Sequence, residues 1–217
     1  MYKTKKETIC ALSEKLHKYI SGTDTLILLS GGSSVLVSIK ALSLLSVDDR
    51  KHITIGMTDE RYGTFFHTNS NWRHLYEAGL DNLGISKIYP ILSKENFSFE
   101  ESVALYDKTL DELLSEFSKS IGIFGIGTDN HIAGILPNSM ALNEENAMVY
   151  GYDTAQFKRI TMTLPAIRRL QNIFVYAEGK EKKDAVESLN QTFSVFDHPN
   201  QIVKMVPDYS VFYCLEN

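Results

Sequence analysis

Apolar residues along this chain keep switching between two rhythms, and the switching predicts the architecture. Ile9, Leu12, Leu16 and Ile20 fall on one side of a 3.6-residue repeat, which predicts an opening amphipathic helix. Thr25 to Leu29 (TLILL) is a short unbroken apolar run that stops at Ser30-Gly31-Gly32-Ser33, so it predicts a buried strand ending in a glycine turn. Helical spacing then returns at Val35, Leu36, Ile39, Leu42 and Leu45. The cycle recurs, with a strand from His52 to Met57 ending in Thr58-Asp59-Glu60-Arg61 and a helix from Asn71 to Leu80. A long amphipathic helix from Ser98 to Phe117 leads into the apolar run Ile121 to Ile126 and a further glycine turn. Arg159 to Leu164, Ile173 to Ala177 and Val211 to Leu215 complete the strands, with a helix from Lys182 to Leu189 between the last two.

Strands and helices alternating through short turns imply an α/β fold, a mostly parallel sheet with helices on both faces, because parallel neighbours need crossover connections. Ligands in such Rossmann-like sheets gather at the C-terminal ends of the strands. Three polar segments follow predicted strands here, Ser30 to Ser33, Asp59 to Arg61 and Gly125 to His131, and they are expected to converge on one edge. No repeat, low-complexity tract or Pro/Gly-rich linker divides the chain, which is expected to form one domain over residues 1–217.

Composition narrows the class of partner. A hydrophobic fraction of 43% and a charged fraction of 23% are ordinary for a globular chain. With 22 basic residues spread along the sequence and a formal charge of -5, no broad basic face exists for a nucleic acid or an anionic membrane. Any anionic ligand must therefore be held locally. Charges interrupt the first 18 residues, unlike a signal peptide, and no apolar stretch is long enough to span a bilayer. Cys10 and Cys214 lack metal-site or redox-motif spacing and read as thiols in a reducing, cytoplasmic compartment.

Chemistry concentrates in the turns. Gly31, Gly32 and Ser33 stand where a strand hands over to a helix, and glycines there let backbone N–H groups point at an anion such as a phosphate. The plainer reading is a tight strand-to-helix turn. A Walker loop is excluded because no Gly-Lys-Ser/Thr follows. Gly125-Ile126-Gly127 begins like a dinucleotide fingerprint, but Asn130 stands where its third glycine would be. Asp129 and His131 emerge together from the core, a pairing suited to acid–base catalysis because a carboxylate can orient an imidazole and stabilise its charged form. His17, His52, His67, His74 and His198 read as structural or exposed, and no second histidine or cysteine stands at metal-ligand spacing. Arg61 is placed either to grip a phosphate or to pair with Asp59 or Glu60 in a solvated loop. Lys180, Lys182 and Lys183 at a helix start oppose the helix dipole unless an anion is bound, although a solvated lysine run is the commoner meaning.

Taken in order, LLSGGSS (Leu28 to Ser34), TDERYGTFFHTNSNW (Thr58 to Trp72), GIGTDNHIAGILPNS (Gly125 to Ser139), RITMTLPAI (Arg159 to Ile167) and EGKEKKDAV (Glu178 to Val186) resemble the 6-phosphogluconolactonase family. They are more distantly similar to the glucosamine-6-phosphate deaminases. The likeness covers nearly the whole chain and implies the NagB/RpiA/CoA transferase-like fold. It also implies hydrolysis of 6-phosphogluconolactone to 6-phosphogluconate, in the pentose phosphate pathway, with a small sugar phosphate as partner and no cofactor or metal. By the same resemblance His131 corresponds to the catalytic histidine, with Asp129 orienting it. Gly31, Gly32, Ser33, Arg61 and Lys182 look like phosphate grips, Asp59 lines the pocket, and Arg159 is a further phosphate candidate. The chain departs from the family pattern at Asn130, where a glycine is usual and where an added side chain is expected to narrow the pocket. It departs again at Ser34-Val35, which replace Thr-Pro, and at Tyr62-Gly63. Two other readings stay open. A deaminase needs a glutamate five residues after the histidine, where this chain has Leu136, and a silent sugar-phosphate-binding protein would keep the grips without turnover. Monomer and homodimer are equally compatible with the sequence.

Overall fold

The computed structural model describes residues 1–215. Helix α1 (Lys5–Ile20) opens with a capping box in which the Thr4 hydroxyl accepts from the Glu7 amide and the Glu7 carboxylate accepts from the Thr4 amide. Its Leu12, Leu16 and Ile20 are buried, as their spacing requires. Then follow β1 (Thr25–Leu29), α2 (Ser34–Ser43), α3 (Val47–Lys51), β2 (Ile53–Met57), β3 (Asp59–Arg61), α4 (Asn71–Glu77), β4 (Lys87–Ile88) and α5 (Phe99–Glu116). The second half holds β5 (Lys119–Gly125), β6 (Val149–Asp153), β7 (Lys158–Met162), α6 (Leu164–Arg168), β8 (Asn172–Glu178), α7 (Lys183–Glu187) and β9 (Asp208–Cys214).

Six strands form a parallel sheet in the order β4-β2-β1-β5-β8-β9. Every residue of β1 and β2 is buried, which is why both read as unbroken apolar runs rather than alternating ones. From β1 the chain moves outward through β2 to β4, returns by way of α5 to β5, and then advances the other way through β8 to β9. Right-handed crossovers that advance in opposite directions lie on opposite faces, so the reversal falls between β1 and β5. These two strands pair from Thr25 with Lys119 to Leu29 with Ile123, which sets the turn after Leu29 beside the turn after Gly125. A crevice at such a reversal is where open α/β sheets bind ligands.

A second, antiparallel sheet in the order β3-β7-β6 corrects part of the sequence reading. Asp59 to Arg61 continue as a strand instead of a turn, and they pair with the segment predicted as one more strand, setting Asp59 opposite Thr161 and Arg61 opposite Arg159. That predicted strand also ends early, because Thr163 caps α6 through its side chain and Pro165 sits in the first turn. The β6 segment, VYGYD, has no apolar run and is half-buried along most of its length, so hydrophobic pattern alone does not reveal it.

Candidate active site

The turn after β1 is built to leave donors free. The Ser34 hydroxyl turns back to the Gly31 carbonyl at 3.0 Å, the Ser33 side chain makes no capping bond, and no acidic residue stands in the first turn of α2. Apart from the Val35 amide, which donates to the Gly32 carbonyl at 3.2 Å, the leading N–H groups of this helix are thus available to an anion. Gly31 must be glycine, since a Cβ there would overlap the side chain of Asn71. Asn71 is fully buried, and its amide nitrogen donates to the Asp59 carbonyl at 2.9 Å and the Asp59 carboxylate at 3.0 Å.

Asp59-Glu60-Arg61 is not the solvated salt-bridged loop that its composition allows. Glu60 is wholly buried, and its carboxylate accepts from four groups: the amides of Arg61 (2.7 Å), Asn71 (2.6 Å) and Trp72 (2.9 Å), and the Ser70 hydroxyl (2.8 Å). Burial pushes this carboxyl up to about 7 against the pull of those donors. Arg61 pairs with neither neighbouring acid. It donates to the Asn69 carbonyl at 3.0 Å and lies 5.6 Å from the centre of the Phe157 ring.

Arg61 and Arg159 stand directly opposite each other across β3 and β7, a like-charge pairing that destabilises a sheet unless an anion offsets it. Among the described residues neither arginine forms an ion pair, nor does Lys182, and the Nε atoms of both arginines are buried without a partner. Lys182 closes a short 3-10 turn ahead of α7.

Beyond β5 the chain doubles back in a tight turn, with the Gly127 amide donating to the His131 carbonyl at 2.8 Å. His131 Nδ1 lies 2.6 Å from Asp129 Oδ1. That hydrogen bond, opposed by partial burial, holds the Asp129 carboxyl down to about 2. An ionised carboxylate only accepts, so Nδ1 of a neutral ring carries the hydrogen and Nε2 keeps its lone pair. Gly127 makes room for the pair, because a Cβ on it would collide with His131 Nδ1 and Asp129 Oδ1. The small sheet braces the following residues, the Thr161 hydroxyl donating to the Ala133 carbonyl and the Tyr152 hydroxyl to the Gly134 carbonyl.

Gly31, Gly32, Ser33, Asp59, Arg61, His131, Arg159 and Lys182 all line one pocket of about 280 Å³, and Asp129 stands behind His131. The other histidines sit elsewhere: His17 and His52 pair with Asp49 and Asp24, and His67 bonds the Arg61 carbonyl. Among the described residues no three metal-ligating acids, histidines or cysteines cluster. Asn130 departs from expectation. It takes the left-handed conformation with φ 67°, as a glycine would, but its side chain bonds Ser188 and Asn200 and does not line the pocket.

The family model described as glucosamine-6-phosphate isomerases/6-phosphogluconolactonase matches residues 4–209. The chain belongs to this family. A 6-phosphogluconolactonase of Helicobacter pylori strain J99 is 28% identical over 162 residues, covering 73% of this chain and 69% of that protein. One from Mycobacterium leprae is 27% identical over 175 residues, covering 74% and 70%. The fold agrees as well. The crystal structure of a 6-phosphogluconolactonase from Shewanella baltica superposes with a TM-score of 0.80 at 21% identity, covering 98% of this chain and 95% of that one. The structure of 6-phosphogluconolactonase from Trypanosoma brucei gives 0.81 at 21%, covering 99% and 94%. Sequence reasoning about this family member did not single out Asn71 or Glu60. The carboxylate lies inside the quoted Asp-Glu-Arg run, and the one available signal was Ser70-Asn71, a helix start in need of an acceptor.

Proposed function

We propose that this chain hydrolyses the lactone ring of 6-phosphogluconolactone to give 6-phosphogluconate, and that residues 1–217 act as one domain. The observation that carries the reading is a single pocket in which the Asp129–His131 pair faces three cations that have no carboxylate partner among the described residues, beside the open amides of a glycine turn. Arg61, Arg159, Lys182 and the Gly31-Gly32-Ser33 backbone hold the phosphate, while Asp59, fixed by Thr58 and Asn71, lines the wall. Neutral His131 takes a proton from water at Nε2 as the water oxygen bonds to the lactone carbonyl carbon. Asp129 stabilises the imidazolium that forms. The tetrahedral oxyanion then collapses, the bond from carbon to ring oxygen breaks, and the imidazolium returns its proton to that oxygen as it leaves. Backbone N–H groups near the turn stabilise the oxyanion.

Amino-sugar deamination is disfavoured by Leu136, which is half-buried, lines a neighbouring cavity and has no proton to exchange. The test is turnover of 6-phosphogluconolactone above its spontaneous opening, set against glucosamine 6-phosphate, for the native protein and His131→Ala. Loss of the base should lower kcat by roughly 10² to 10⁴. Unchanged turnover in the variant ends the assignment of His131. Binding of 6-phosphogluconate without any turnover by the native protein selects a sugar-phosphate-binding protein instead.

A further inference from the structure

The turn that carries His131 is tied to the segment that follows Lys182, through the backbone and the side chain of one residue. Asn130 Oδ1 accepts from the Asn200 side-chain amide at 3.2 Å and lies 3.3 Å from the Ser188 hydroxyl, whose one proton has a nearer acceptor in the Ala185 carbonyl at 2.9 Å, while the Asn130 carbonyl accepts from the Asn200 backbone amide at 2.9 Å. Asn200 is fully buried, and its side chain reaches on to the Ala185 carbonyl at 2.9 Å and the Ser188 hydroxyl at 2.7 Å. Ala185 lies within α7, three residues beyond Lys182, and Ser188 caps the end of that helix. A continuous chain of hydrogen bonds thus runs from the backbone between Asp129 and His131 to the helix that Lys182 precedes.

We propose that Asn130 is a positioning residue that fixes the distance between the His131 base and the Lys182 cation. This inference rests on the proposed lactonase reading. Two properties of asparagine fit it to the place. It tolerates the left-handed backbone that the turn demands, and its carbonyl oxygen supplies an acceptor that glycine lacks. A buried network whose members share partners behaves as one unit, so the tie resists small displacements that would each cost a hydrogen bond. Reaction rates fall steeply when a base is misplaced by an ångström, because the attacking atom must lie within near-attack distance. The tie therefore acts on the rate of the chemical step, with little effect on phosphate affinity.

The test compares Asn130→Gly, Asn130→Asp, Ser188→Ala and the Asn130→Gly/Ser188→Ala pair. Glycine keeps the turn and the backbone bond from the Asn200 amide but removes both side-chain bonds, so kcat for 6-phosphogluconolactone should fall about tenfold with KM within about twofold. Asn130→Asp, which keeps an acceptor, should recover most of that loss. The paired variant should have a kcat no lower than Asn130→Gly alone, because once the Asn130 side chain is gone the Ser188 hydroxyl no longer reaches the turn and its bonds to Asn200 and Ala185 lie on the far side of the link. Native kcat in Asn130→Gly, or losses that multiply in the pair, overturns the proposal. Amide hydrogen exchange at Asn200 gives a reading independent of activity. If the native protein turns over no lactone, the lactonase reading fails, yet faster exchange at Asn200 in Asn130→Gly still establishes the tie, and unchanged exchange there rejects it.

Discussion

Glu60 sets two strong effects against each other, and Glu60→Gln measures which prevails. Four donors surround the carboxylate at 2.6 to 2.9 Å, which favours the charge, whereas complete burial disfavours it. Burial wins in the structure, raising the carboxyl from an ordinary 4.5 to about 7. The sign of the consequence follows from proton counting. Below pH 4.5 folded and unfolded chains both hold the proton. Between 4.5 and 7 the unfolded chain has released it while the fold retains it, so native stability falls as pH rises. The difference of 7 − 4.5 = 2.5 corresponds to roughly 3 kcal/mol at 1.36 kcal/mol for each pH unit. Glutamine has the same shape and no titration. Its NH₂ group is best tolerated on the side of Ser70, whose hydroxyl can turn to accept, which leaves the Trp72 amide opposed at a cost of about 1 to 3 kcal/mol. The variant should therefore be less stable at pH 5, and the gap should close or reverse by pH 8. Urea unfolding followed by the fluorescence of Trp72, the chain's one tryptophan, reads this out beside the substituted residue. A gap that stays constant, or widens toward alkaline pH, would refute the argument and show that the four donors keep Glu60 ionised throughout.

Lys182→Ala and Arg61→Ala should each raise KM for the phosphorylated lactone by about tenfold or more and leave slow opening of unphosphorylated gluconolactone nearly unchanged, because each removes one charge-assisted contact. Equal loss on both lactones would assign these side chains to the fold. Gly127→Ala should abolish most activity while lowering stability by no more than about 3 kcal/mol, since the added methyl displaces the Asp129–His131 pair at a partly exposed turn. A fully active Gly127→Ala protein would mean that the pair does not need its observed geometry.

The parallel sheet was legible because its strands are buried on both faces and announce themselves as apolar runs such as Thr25 to Leu29. Part of the pocket was legible for a related reason, since the segments Ser30 to Ser33 and Gly125 to His131 each follow such a run. Two of the three strands of the small sheet were hidden, β7 alone being expected from Arg159 onward. Its β6 strand alternates tyrosine with glycine, and its β3 strand is three charged residues whose burial depends on partners far along the chain. Glu60 shows the limit most clearly, for a composition typical of a solvated loop conceals a carboxylate that four donors enclose. Asn130 was visible as a departure from the family pattern, but its use was not, because Ser188 and Asn200 lie 58 and 70 residues away.

The base and the guanidinium pair hang from different scaffolds, one from the central sheet and the other from a narrow three-stranded ribbon. Two ribbon hydroxyls, on Thr161 and Tyr152, clasp the carbonyls of Ala133 and Gly134 just beyond the base, so the seating of the ribbon sets where that loop lies. Substitutions under the far side of β6, remote from any ligand, would then reset the span between phosphate and carbonyl.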